Sequence, residues 1–376
     1  MSATRTYLDW NATAPLRSEA RAAMVAALDV VGNPSSPHAE GRRARAVIED
    51  AREQVAALVG ARPAEVVFTS GGTEANNAVL SAGWETILLA GVEHDSVLAP
   101  ARNSGARLVE LPVDGDGVVR REELAQAIRR NEGSRTLLSL QLANNETGVL
   151  QPVAAAAAEA RDHGLAIHTD AVQAAGRVAV NLAALGVDYL TLSAHKLGGP
   201  KGIGALIARD GVQSPSFIVG GGQERRRRAG TENVAGIAGF GAAAEAAQSD
   251  LARMQNMKAL RDRLEARVRA ITPQAVVVAA GAARLPNTAS VALPNTSAET
   301  LVIALDLAGI AVSAGAACSS GKVGASHVLT AMGLPAPIAR AAIRISLGPA
   351  SSERDVAHFL EAWEHLARTR RERAVA

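Results

Sequence analysis

The stretch EVVFTSGGTEANNAVLSAG, residues 65–83, decides how this chain is read. EVVFTS is a short β-branched and aromatic run of strand length, and GGTEANNAVLSAG is a glycine turn leading into a helical pattern. Strand, turn and helix in that order form the repeating unit of an α/β fold. The same alternation continues outward. ETILLAG (85–91), ARLVELPV (106–113), RTLLSLQLA (135–143), LAIHTDA (165–171) and DYLTLSAH (188–195) are further apolar runs of strand length. Helical patterns over 121–130 and 153–163 separate several of them, and residues 40–60 carry apolar side chains at helical spacing up to a glycine. The alanine run 154–158 is good helix former. These observations predict a largely parallel sheet flanked by helices.

With 376 residues the chain exceeds the size at which one core usually stops growing, so two domains are expected. A long helical region over 233–270 holds the boundary, near residue 250. This predicts a large domain over 15–250 and a smaller one made of 1–14 and 251–376. No internal repeat or linker interrupts the pattern. Apolar residues at 48% and charged residues at 20% describe an ordinary globular protein. The 39 basic and 37 acidic side chains nearly cancel, which argues against nucleic acid or an anionic membrane as partner. One cysteine cannot form an internal disulfide. The start, MSATRTYLDWNATAP, lacks the apolar core of a signal peptide, and no apolar run has the length of a membrane span, so a cytoplasmic location is expected.

Three motifs could carry chemistry. At the glycine turn, backbone N–H groups beside the Thr73 hydroxyl suit a phosphate, although an ordinary βα turn with a capping threonine looks the same. In LAIHTDAVQ (165–173), Asp170 falls just past a strand end, where open α/β sheets bind ligands; there it can cap a helix or hold a proton on a cofactor's ring nitrogen. LTLSAHKLGGPKG (190–202) ends the next strand in Ser193, His195 and Lys196, and a desolvated lysine there is a Schiff-base candidate, whereas most lysines are solvated surface. The single cysteine, Cys318, sits in SAGAACSSGKVGASH (313–327), among small and glycine residues, where a structural thiol and a nucleophile are both open readings. The arginines at 225–228 lie in a glycine-bounded loop, where packing, phosphate-side charge or subunit contacts fit better than nucleic acid.

The order of these motifs, phosphate turn, aspartate and then Ser-x-His-Lys, is what one pyridoxal phosphate site needs across successive strand ends. The chain resembles cysteine desulfurases of the NifS/IscS type, within aminotransferase class V of the fold-type I pyridoxal phosphate enzymes. The likeness runs through YLDWNATAP, GNPSSPH, VVFTSGGTEANN, VEHDSVL, NNETGVLQPV, HTDAVQAAG, SAHKLGGPKGIGAL, GGGQERRRRAGTENV, GAACSSG and IRISLG. The resemblance implies a fold-type I transferase, with a mostly parallel seven-stranded sheet in the large domain and a smaller α+β domain.

By the same resemblance, Lys196 would bind pyridoxal 5'-phosphate covalently and shuttle the substrate's Cα proton. His94 would stack on the ring and assist acid–base chemistry, Asp170 would keep the ring nitrogen protonated, and Gln173 would bond the phenolic oxygen. Gly72 and Thr73, with Ser193 and His195, would grip the phosphate, and Thr231 would reach it from the second subunit of a homodimer. Asn145 and Arg344 would bind the substrate carboxylate. Cys318 would be the mobile nucleophile that takes sulfur from L-cysteine, leaving L-alanine and an enzyme persulfide for an acceptor or Fe–S scaffold protein. No resident metal is implied, although Cys318 could meet an Fe–S cluster during transfer. Ser326 follows Cys318 by eight positions, the long-loop arrangement that implies direct delivery. The chain ends at RTRRERAVA, short of the tail with which longer members dock a scaffold, which leaves docking by that route an open question. Selenocysteine lyase, class V aminotransferase and a non-enzymatic assembly platform are the competing readings.

Overall fold

The computed structural model describes residues 5–132, 135–213, 215–315 and 325–375. Its strands are β1 (Thr6–Tyr7), β2 (Val66–Thr69), β3 (Thr86–Ala90), β4 (Arg107–Leu111), β5 (Thr136–Ser139), β6 (Ala166–Asp170), β7 (Tyr189–Ser193) and β8 (Gly204–Ala208). There follow β9 (Val276–Val277), β10 (Thr288–Ala292), β11 (Ile310–Ala311), β12 (Ser313–Ala314) and β13 (Ala342–Ser346). β2 to β8 form one seven-stranded sheet in the order β2-β8-β7-β6-β5-β3-β4. All its pairings are parallel except those of β8, which runs against both β2 and β7.

Burial on both faces explains why these strands read as near-continuous apolar runs. In β3, Ile87 and Leu89 enter a core shared with Val79 of the helix Gly72–Leu80 and Val97 of the helix Asp95–Asn103. Leu88 and Ala90 point the other way, into a core shared with Ile48, Val55 and Phe240 of the helices Ala39–Leu58 and Val234–Ser249. Only the edge strand β4 is largely exposed, with Arg107 and Glu110 on it, charges that discourage pairing with another chain. Fully buried His168 on β6 lies between Ser139 Oγ at 2.9 Å and Thr191 Oγ1 at 3.1 Å. Burial drives its ring down to about 3, so it stays neutral and ties three strands together.

The sheet is the seven-stranded, mostly parallel one that the resemblance implies. β8 is not among the strands read from the apolar pattern: its run, GALIA, is short and follows a glycine-rich loop. The predicted helical region 233–270 is broken. A 3-10 turn, Asp250–Arg253, separates the helices Val234–Ser249 and Met254–Ile271. Ser and Asp favour helix ends over interiors, and the Asp250 carboxylate is taken by Arg17 at 2.6 Å.

A second, antiparallel sheet has the order β12-β13-β10-β9. Val291, Ile343 and Ile345 of this sheet pack against Leu264, Leu305, Phe359 and Trp363 of the helices Met254–Ile271, Ala298–Leu307 and Glu353–Val375. The N-terminal segment joins this region: β1 pairs with β11, Asp9 bridges to Ser346, and Leu8 is fully buried in the same cluster. No helix among the described residues is long and apolar enough to cross a membrane.

Candidate active site

Because β8 opposes both its neighbours, β2 points the same way as β7, β6, β5 and β3. The carboxyl ends of all five strands open on one side, where open α/β sheets hold ligands. A cavity of about 320 Å³ lies there. It gathers all of the sequence-predicted site residues except Thr231 and Cys318. Cys318 lies outside the described residues. Thr231 lines a neighbouring cavity with Ser70, Arg228 and Glu232.

β2 delivers the glycine turn. A Cβ at Gly72 would fall 2.9 Å from Val172 Cγ2, so the start of the helix Gly72–Leu80 can lie this close to β6 and its turn only without a side chain. Asn76, three residues beyond Thr73 and on the same helix face, donates to Asp170 Oδ2 at 2.8 Å. The Val172 N–H donates to Asp170 Oδ1 at 2.9 Å, so the buried carboxylate has a donor on each oxygen. Gln173 lines the cavity; its Nε2 donates to the Asn11 carbonyl at 3.1 Å, while its Oε1 is buried with no partner among the described residues.

β3 leads to His94, which caps the helix Asp95–Asn103. Its Nδ1 accepts from the Ser96 N–H at 3.1 Å, which places a neutral ring's proton on Nε2. Burial lowers the ring's proton affinity, Asp170 opposes that shift and Lys196 adds to it. β7 ends in Ser193, and the 3-10 turn Ala194–Lys196 carries the other two polar groups. Lys196 Nζ donates to the Asn11 and Ala12 carbonyls at 2.6 and 2.9 Å. His195 lies 3.3 Å from Thr13 Oγ1. Burial first, then the Lys196, Lys201 and Arg177 cations, push its ring down to about 4, so it is neutral at pH 7.

β13 brings Arg344, only 4% exposed. It donates to Asp9 Oδ1 at 2.8 Å and to the Asn145 carbonyl at 3.1 Å, and its Nε–H is buried with no partner among the described residues. A carboxylate arriving in the cavity would meet both this free donor and the Asn145 side chain.

Sequence reasoning missed Asn11 and Asn76. Asn11 is fully buried, and besides receiving Lys196 and Gln173 it donates to Thr288 Oγ1 at 2.9 Å. NATAP stood among the quoted motifs, yet nothing local says that Asn11 returns to a lysine 185 residues later. Asn76 carried a usable signal, its helical spacing from Thr73. Of the arginines at 225–228, Arg228 pairs with Glu74 at 3.0 Å and Arg227 donates to the Ala64 carbonyl, both within the chain. Among the described residues no cluster of three His, Cys, Asp or Glu groups could hold a metal.

The donor set suits pyridoxal phosphate on structural grounds. An orphaned amide oxygen on Gln173, a fully partnered carboxylate, a lysine amine and a side-chain-free helix start all line one cavity. Comparison with known proteins agrees. The aminotransferase class-V model matches residues 6–359. The cysteine desulfurase IscS of Dictyoglomus turgidum is 40% identical over 372 residues, spanning 96% of this chain and 94% of that protein. A cysteine desulfurase of Cereibacter sphaeroides is 43% identical over 369 residues, covering 95% and 94%. The crystal structure of a NifS-like protein from Rickettsia africae superposes with a TM-score of 0.90 at 36% identity, over 96% of this chain and 99% of that one.

Proposed function

This chain belongs to the aminotransferase class-V family as a pyridoxal phosphate-dependent cysteine desulfurase, and from that premise we propose how its residues divide the reaction. Gly72, Thr73, Ser193 and His195 hold the cofactor's phosphate, with the neutral His195 ring acting as a hydrogen-bond partner. Lys196 anchors the cofactor and moves the Cα proton of L-cysteine. Asp170, with a donor on each oxygen, would supply the counter-charge for the bound ring's nitrogen, and Gln173 would bond the phenolic oxygen. Once bound, the cofactor supplies an electron-accepting ring that weakens bonds at the substrate's Cα and Cβ.

Asn145 and Arg344 orient the substrate carboxylate. His94, its Nδ1 held by the Ser96 N–H, would assist acid–base chemistry at the bound ring through Nε2. The Cys318 thiolate attacks the substrate sulfur as the Cβ–S bond breaks. The balance is L-cysteine plus the Cys318 thiol giving L-alanine plus the Cys318 persulfide. The outer sulfur then passes to an acceptor protein or an Fe–S scaffold in the cytoplasm.

The division of the chain into a large domain over 15–250 and a small one of 1–14 with 251–376 belongs to this reading, as does a homodimer in which Thr231 reaches the partner's phosphate. Glu232, beside Thr231, supports the second copy: it is 7% exposed and neither carboxylate oxygen has a partner among the described residues. The nearby apolar residues Phe217 and Val219 are exposed, and the Ala229 N–H, donating to the Ile218 carbonyl, ties them to the Thr231 loop. The observation that most supports the whole reading is the convergence of Lys196, Asp170, His94 and Arg344 on one cavity. Incubating the cofactor-loaded protein with L-cysteine tests it. Alanine with matching transferable sulfur is expected, and no alanine would overturn it.

A further inference from the structure

Glu146 is a buried carboxylate that the scheme above leaves unused. It follows Asn145 in NNETG and is 3% exposed. Its Oε2 accepts from Ser326 Oγ at 2.6 Å. Ser326 caps the short helix His327–Ala331, accepting from the Leu329 N–H at 3.1 Å with the same hydroxyl. That oxygen also abuts Gly315: a Cβ built there would fall 3.0 Å from Glu146 Oε2 and 3.8 Å from Ser326 Cβ. Gly315 and Ser326 are the two feet of the segment that carries Cys318. β13 and the turn before it stitch both down, through Gly315 N–H to Ala342 O at 3.1 Å and Ser326 N–H to Ala339 O at 3.3 Å. One carboxylate oxygen therefore stands where the chain leaves for Cys318 and returns from it.

We propose that Glu146 is a positioning residue for Cys318, its carboxylate holding Ser326 against Gly315 so that both feet of the cysteine segment are fixed beside Asn145. This rests on the desulfurase reading for its purpose, though not for its geometry. A second tie runs parallel, since His327 Nε2 lies 2.9 Å from the carbonyl of Glu93, the residue before His94. The feet are thus tied next to the residues proposed for the substrate carboxylate and for the ring.

The groups facing Glu146 are Ser326 and His327 from the following helix, Arg344 from β13 and Asp95 from the helix Asp95–Asn103, with Asn144 in its own turn. Burial pushes the Glu146 carboxyl up to about 7, Asp95 adds to the rise, and Ser326, His327 and Arg344 oppose it. The ionised form dominates above that pH and accepts the Ser326 proton in a charge-assisted bond. The hold on Ser326 therefore tightens as pH rises through neutrality.

The chain's single cysteine makes the test clean. Alkylation of Cys318 by a neutral reagent is followed from pH 6 to pH 8 in wild type, Glu146→Gln, Ser326→Ala and Ser326→Thr, and the variant-to-wild-type rate ratio cancels the thiol's own ionisation. For Glu146→Gln the ratio is expected to rise from near one at low pH to about tenfold at high pH. Ser326→Ala should react faster in the same direction, and Ser326→Thr, which keeps the hydroxyl, should return to the wild-type rate. With L-cysteine and the loaded enzyme, Glu146→Gln should lower kcat about tenfold while KM stays within about twofold. Flat ratios within about twofold for both Glu146→Gln and Ser326→Ala would overturn the proposal. A merely structural role would shift thermal stability without the pH-dependent ratio. Wild type that makes no alanine would sink the desulfurase reading, while the alkylation series would still report on the clamp.

Discussion

Two buried carboxylates stand in neighbouring cavities at the two ends of the turn after β2, and the chain treats them differently. Asp170, in the cavity with Lys196, has a donor on each oxygen from its own chain. Glu232, in the cavity with Thr231, has none among the described residues. A buried carboxylate without a partner is costly, so a native fold keeps one where something outside the chain completes it. As far as its carboxylate goes, the first cavity is finished within one chain. On the proposed homodimer, the second is half a site.

The sharpest way to break this comparison is at the finished cavity. Lys196→Ala should cut alanine formation by about 10²–10⁴-fold and abolish the covalent cofactor's visible absorption, while the fold, read by circular dichroism, stays intact. Retained turnover would mean that the cavity's lysine is not the reacting amine. A smaller effect is expected at the half site. In the proposed homodimer Glu232→Gln should weaken self-association about tenfold, because the donors that the second copy supplies lose an acceptor oxygen, and sedimentation at graded concentrations reads this directly. Thr231→Ala should weaken cofactor retention by about fivefold with the assembly preserved. A wild type that sediments as a single chain, with full cofactor affinity, would remove the distinction between the two cavities.

The smallest effect concerns stability beneath the finished cavity. Fully buried Glu93 accepts from the Gln141 N–H at 2.7 Å with one oxygen, and its other oxygen has no partner among the described residues. Burial holds its carboxyl well above the usual value of 4.5, with Asp170 adding to the rise. Above 4.5 the unfolded chain has released this proton while the folded chain keeps it. This group's contribution therefore falls as pH rises from there toward the folded value. Glu93→Gln should flatten that part of the stability–pH curve and gain on wild type toward pH 8, as denaturant titrations at several pH values would show. Parallel curves for the two proteins would mean that Glu93 ionises freely in the fold.

The finished cavity was largely legible in the sequence because its chemistry sits at strand ends. Asp170 and Lys196 each follow an apolar run, and the glycine turn follows another, so local pattern and order sufficed. What was illegible is what joins distant segments. The Asn11 carbonyl meets Lys196, Arg344 meets Asp9, and Ser326 meets Glu146 across separations of 185, 335 and 180 residues. No periodicity announces such contacts. The reversed β8 escaped for another reason, since a short glycine-preceded run reads equally as loop. Glu232 escaped because its meaning lies in what it lacks.

The most direct test of the central claim is a single turnover of cofactor-loaded protein with L-cysteine and no acceptor, with alanine counted and Cys318 analysed by mass. The account predicts one alanine per chain and one added sulfur on Cys318, and no alanine above background from Cys318→Ala, whose cysteine-bound spectrum should persist. Wild-type alanine formation by Cys318→Ala, with no sulfur on Cys318 in the native protein, would contradict it.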